Sequence, residues 1–135
     1  MAYADAQASA VIVSGKVPAT VKAVGAVTKG DALGFSGGWK RALATVGTAI
    51  QMRCIAAEDG VDGQEINVYF EQATMEGRIS GATAGGALYV AEGTSNGMYT
   101  QTAPTTTGDA NTIVGYALTA TKVVLTPNAN VDTIA

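Results

Sequence analysis

Histidine is absent from this sequence. Without an imidazole there is no Ser–His–Asp triad, no His-ligated metal and no side chain that titrates near neutral pH without help. Cysteine occurs once, at Cys54, so no intrachain disulfide can form. Cys54 lies in the apolar run Ile50-Gln51-Met52-Arg53-Cys54-Ile55-Ala56 and is expected to be a small buried hydrophobe. A reactive thiol would want a cationic neighbour on its own face, and Arg53 alternates to the other. Charge is also scarce, with 14% charged residues and a net charge of −3. The eight basic residues are scattered from Lys16 to Lys122, which leaves no electrostatic footprint for nucleic acid. Gly15-Lys16 and Lys29-Gly30 are not phosphate loops, because neither has the upstream glycine or a Ser/Thr after the lysine. No apolar run reaches membrane-span length, and the N-terminus lacks the basic stretch and apolar run of a signal peptide.

What the sequence does hold is a series of short apolar runs separated by Gly, Asn, Thr or Pro, the pattern of consecutive antiparallel strands. Gln64 to Phe70 alternates most cleanly, with Ile66, Val68 and Phe70 inward and Glu65, Asn67, Tyr69 and Glu71 outward. Ile50, Met52, Cys54 and Ala56 are expected to share one face of another strand. Asp31–Phe35 and Trp39–Leu43 read as a hairpin across Ser36-Gly37-Gly38. Later strands are expected near 86–91, 97–102, 111–119 and 122–126. Thr28-Lys29-Gly30-Asp31-Ala32-Leu33 matches Thr83-Ala84-Gly85-Gly86-Ala87-Leu88 at one constant offset, which points to two related units.

These signals predict an all-β chain with short antiparallel strands in a barrel or sandwich core. Residues 1–19 form an extended N-terminal arm, 20–127 a core with sub-units at 20–71 and 81–127, and 128–135 a C-terminal tail. Within the arm, 4–10 has short-helix propensity and Val11-Ile12-Val13 favours a strand. The link at 71–80 has one helical turn of propensity over Gln72–Glu76, ended by Gly77. Tyr3, Val11, Ile12, Val13, Val131 and Ile134 lie outside the core and are costly to leave in water, so they are the candidate partner contacts.

Two features invite a functional reading. Glu58, Asp59, Asp62 and Glu65 cluster, but EF-hand spacing is absent and two Asp-Gly pairs nearby read as tight turns. Trp39 and the five tyrosines would serve a carbohydrate-binding module if they lay exposed on one face, whereas strand aromatics generally pack. Catalytic, cofactor and metal residues are expected to be none.

The run from Val27-Thr28-Lys29-Gly30-Asp31-Ala32-Leu33, through Gly85-Gly86-Ala87-Leu88-Tyr89-Val90 and Gly97-Met98-Tyr99-Thr100, to Ile113-Val114-Gly115-Tyr116-Ala117-Leu118 resembles the small decoration (head-stabilising, cement) proteins of tailed bacteriophages. The resemblance covers roughly residues 20–127 and has no catalytic motif. It implies a β-tulip-like or barrel core and a location on the outer surface of the capsid of the virion. The major capsid protein is the implied partner, and a homotrimer at three-fold positions the implied assembly, with no nucleic-acid or membrane partner. Phage tail and head-fibre proteins use the same vocabulary and are the alternative.

Overall fold

The repeated motif is a turn. Gly30 (φ 96°) and Gly85 (φ 82°) each occupy the third place of a four-residue turn. It is closed by Asp31 N–H donating to the Thr28 carbonyl at 2.9 Å in one copy and Gly86 N–H donating to the Thr83 carbonyl at 3.0 Å in the other. A positive φ at that place belongs to a type II turn, which a side chain resists and glycine does not. The chain then enters a strand, and Leu33 or Leu88 is fully buried one step later. The same closing bond recurs at Val61–Gln64 (3.1 Å) and Thr106–Asp109 (3.0 Å). Residue four of the turn also caps residue one: Asp31, Gln64 and Asp109 accept the N–H groups of Thr28, Val61 and Thr106. In the Thr83 turn the fourth residue is glycine, and Gln101 reaches in to take the Thr83 N–H instead, at 2.9 Å.

A computed structural model describes residues 11–92 and 97–127. Among these there is no helix. The strands are β1 (Val11–Lys22), β2 (Ala32–Phe35), β3 (Trp39–Arg41), β4 (Cys54–Ala56), β5 (Glu65–Glu76), β6 (Ala87–Val90), β7 (Tyr99–Thr100), β8 (Gly115–Ala117) and β9 (Lys122–Leu125). The protein is all-β, an antiparallel sheet curled into a half-barrel.

β5 is the spine. β1 lies antiparallel along its whole length, from Val11 opposite Glu76 to Lys22 opposite Glu65. A strand has two edges, so β4 and β9 divide the other between them: β4 pairs at Tyr69 and Val68, β9 from Ala73 to Glu76. β2 and β3 continue outward from β4, and β8, β6 and β7 from β9. Backbone bonds stitch the two wings together, Ala32 N–H to the Gly97 carbonyl at 3.0 Å, Gly97 N–H to Ala42 at 2.7 Å and Ala44 N–H to Ala91 at 2.9 Å.

Two apolar clusters result. Ala32, Met52, Ile55, Met75, Leu88, Val114, Val123 and Leu125 build the first, and Val21, Ala23, Leu33, Cys54, Ala56, Ile66 and Val68 the second. The β2–β4–β5 wing is thus buried on both faces, with Leu33, Cys54 and Val68 on one and Ala32, Ile55 and Tyr69 toward the other. Each fully buried Leu, Ile or Val contributes about 1.5–3 kcal/mol relative to exposure. Cys54 is the small buried hydrophobe expected of it, and burial pushes its thiol pKa up to about 12.

Several expectations change. Residues 11–19 are part of β1, paired to the chain's own β5, so the core begins before residue 20. The link at 71–80 is strand as far as Glu76. After Val68 the buried face of β5 switches, so that Ala73 and Met75 pack with Tyr69 in the first cluster while Ile66 and Val68 pack in the second, and this change of phase breaks the period-two signal. Met52 packs in the first cluster while Cys54 and Ala56 pack in the second, so Ile50–Ala56 does not present one uniform face. Phe70 is only half-buried, edge-on to Trp39 at 5.6 Å, and Tyr69 packs against the first cluster instead of facing water. Residues 1–10 and the tail 128–135 lie outside the described residues.

The β1–β5 register shifts twice, between Ile12 and Ser14 and between Lys16 and Pro18. The residues inside the shifts, Val13 and Val17, are exposed at 58% and 50%. Val17 has φ 56°, a left-handed conformation that a β-branched side chain resists. Val17→Asn is expected to stabilise the chain by about 1 kcal/mol, since asparagine tolerates that region and no buried contact is lost. A melting temperature unchanged or lowered by Val17→Asn would contradict this.

Candidate functional site

The sequence-predicted contact residues do not converge on a pocket. Val11 is 65% exposed and Val13 stands out beside it, while Ile12 turns in against the first cluster. Tyr3, Val131 and Ile134 fall outside the described residues. Val11 sits opposite Glu76, which is bridged at 3.4 Å by Lys122, whose carbonyl accepts the Leu118 N–H. Leu118 and Tyr116, each 47% exposed, stand out beyond that ion pair, which separates them from Val11.

The carboxylates at 58–65 act on the backbone. Glu58 accepts the Asn67 N–H at 2.7 Å, Asp59 the Lys29 N–H at 2.7 Å and Asp62 the Gly25 N–H at 2.8 Å. Glu65 lies opposite Lys22. Asp59 and Asp62 thereby tie the 58–65 loop to the 23–31 connection, which covers the second cluster. Among the described residues no group of three or more Asp, Glu or Cys is placed to hold a metal ion.

The densest polar chemistry is instead buried. The Asp31 carboxylate, with no exposed surface, accepts from Arg41 Nε at 2.6 Å and from Arg78 Nη2 at 2.6 Å. Arg78 also donates to the Lys29 carbonyl at 3.0 Å, and Arg41 Nη2 to Thr28 Oγ1 at 3.1 Å. The Tyr99 hydroxyl donates to the Gly30 carbonyl at 2.7 Å. One carboxylate thus joins the turn before β2, the end of β3 and the segment after β5, while Tyr99 brings in β7. Charge-assisted bonds this short are strong, and they hold these elements together. Nothing in the sequence pointed to this cluster. Its members are far apart in the chain, and the one local signal is an Asp at the start of an apolar strand.

Asp109 is the second buried carboxylate, accepting the Val46 N–H at 2.7 Å. Glu92, on the surface, lies beside it. Partial loss of hydration, with the hydrogen bond to Asp109 and its repulsion, holds the Glu92 pKa above the usual carboxylate range. The folded chain therefore binds that proton more tightly than the unfolded chain. The resulting stability is present in acid, below the ordinary carboxylate pKa, and is lost as pH rises through the raised value. Glu92→Gln is expected to raise the melting temperature at neutral pH and to lose that advantage in acid. Equal shifts in both buffers would show that charging Glu92 is not what costs stability.

The second cluster runs out to the surface through aromatics. Phe35, 63% exposed, meets half-buried Trp39 at 5.4 Å, and Trp39 in turn meets Phe70, both pairs edge-to-face. Flanked in this way, Trp39 packs as a core-edge residue and is not an open stacking platform. Next to it, Val24, Gly25, Ala26, Lys40, Arg41 and Ile50 line an open groove of about 230 Å³. The arrangement as a whole offers exposed apolar side chains on an antiparallel sheet.

Comparison with known protein families, curated proteins and solved structures finds no match to this chain.

Proposed function

We propose that the chain is a structural, non-catalytic adhesive protein that decorates the outer surface of a tailed-bacteriophage head, bridging neighbouring major capsid subunits. The observation that carries this reading is the division of chemistry in the fold. The buried polar groups pin strands together, while Val11, Val13, Phe35, Tyr116 and Leu118 stand out from the sheet in water. Exposed apolar patches on a rigid surface mark protein contacts more often than reaction centres. The phage-like vocabulary of 20–127 supplies the identity of the partner, and the repeated motif within it is the pair of turns that open β2 and β6. Adhesion draws on apolar burial, about 25 cal/mol per Å² removed from water, and on the many symmetric copies a shell provides.

Cosedimentation of the purified chain with empty expanded heads tests this. Saturable binding is expected, weakened by Tyr116→Asp at unchanged melting temperature and by Phe35→Asp, which also loses the ring contact with Trp39. A chain that stays in the supernatant at every concentration would sink the proposal, and tail-fibre or glycan pull-downs would then distinguish the alternatives.

A further inference from the structure

We infer that β1 is an exchangeable strand, and that the partner it exchanges with is β1 of a second copy of this chain. Of its twelve residues only Val21 is buried. Side-chain packing holds β1 at Ile12, Ala19 and Val21, and elsewhere its backbone hydrogen bonds to β5 are interrupted by two register shifts and by Val17 in a left-handed conformation. Contacts of this kind open locally at lower cost than core strands. The hinge for this exchange falls in the connection that follows, where the Val24 N–H bond to the Trp39 carbonyl and the Gly25 N–H bond to Asp62 must open. Val24, Gly25 and Ala26 are all exposed, and Gly25 (φ 85°) has open space around it.

When β1 leaves, β5 presents a long unpaired edge, and that edge is selective. The ring of Tyr69 lies over Gly15 so closely that a Cβ there would sit 2.5 Å from it. An incoming strand must carry glycine at that register. It must also supply an extra residue where Val13 stands and match the step over Phe70 and Glu71 between Pro18 and Lys16. Within this fold β1 itself meets these demands, so a second copy fits where an unrelated strand clashes. The outer edge of β1 is guarded in the opposite sense. Lys16, Pro18, Lys22 and the two irregularities are devices that discourage further strand addition. The guarded outer edge keeps exchange from growing into open sheets, and reciprocal exchange between two copies is the smallest assembly that leaves no β5 edge unpaired.

Ser14 and Thr74 are paired neighbours on β1 and β5. Chains carrying Ser14→Cys alone and Thr74→Cys alone are mixed, incubated at rising concentration and oxidised. A disulfide between one chain of each kind is expected, its yield growing with the product of the two concentrations. It should be lost when Gly15→Ala is added to the Ser14→Cys chain. The native Cys54 is buried and does not compete. The doubly substituted chain, oxidised when dilute, should lock as a monomer. Locking within the double variant without any mixed product would overturn the inference. Should the double variant fail to lock, light scattering on the unsubstituted chain decides: a concentration-dependent dimer supports exchange, and a monomer throughout overturns it.

Discussion

Asp31→Ala is expected to cost about 3–5 kcal/mol, lowering the melting temperature by roughly 10–20 °C in a chain of this size. The alanine removes the single carboxylate between two guanidinium groups whose side chains are 11% and 0% exposed. Their mutual repulsion then goes uncompensated in a place that water barely reaches. Breaking a buried pair from one side is the expensive direction, because the stranded charge keeps its desolvation cost. The Thr28 N–H loses its cap in the same step, and the turn that opens β2 loosens. Arg41→Met should cost less, since Arg41 is the more exposed partner and Arg78 still neutralises Asp31. A drop below about 1 kcal/mol for Asp31→Ala would mean that the cluster is not what ties the wings together.

Gly34→Ala is the second large effect, about 3 kcal/mol. The backbone at Gly34 is ordinary β2 strand, and the obstacle is space. A Cβ would sit 2.0 Å from the Gln51 carbonyl oxygen and 2.7 Å from Ile50 Cγ2. The 50–53 segment cannot simply move away, because Arg53 N–H donates to the Leu33 carbonyl at 2.7 Å. Gly86→Ala makes the informative contrast. Its Cβ would meet Gln101 Nε2 at 2.4 Å, the free end of a flexible side chain that can swing aside. Its cost is therefore expected near that of the lost Gln101 bonds to Thr83, about 1 kcal/mol. Denaturant midpoints for the two variants that came out equal would contradict the distinction between backbone and side-chain crowding.

Much of the fold was legible because turn chemistry and period-two alternation are local. The Thr-x-Gly-x-Ala-Leu repeat was visible as text, and its meaning is a type II turn followed by a buried leucine. The same turn at Thr106-Thr107-Gly108-Asp109, with Gly108 at φ 92°, is readable by that logic. Of β1 the strand preference of Val11-Ile12-Val13 was legible but its continuity to Lys22 was not, and the second half of β5 was missed. Ser14, Gly15 and Pro18 look like breakers until β5 supplies partners, and Ala73 and Met75 are weak strand formers until the first cluster closes over them. Tertiary pairing overrides propensity in both places. The buried cluster was illegible for a different reason: Asp31, Arg41, Arg78 and Tyr99 meet only after the wings fold across one another. For the contact residues, sequence reasoning separated exposed Val11 and Val13 from the core but could not separate inward-facing Ile12 from them.

The central proposal is that the chain reinforces a phage shell, and the heat stability of filled heads with and without it measures this most directly. Genome release is followed while temperature rises, for bare heads and for heads saturated with the purified chain. A higher release temperature for the decorated heads, returning toward the bare value with Phe35→Asp or Tyr116→Asp, is the predicted result. Heads that bind the chain to saturation yet release their genome at the bare temperature would contradict it.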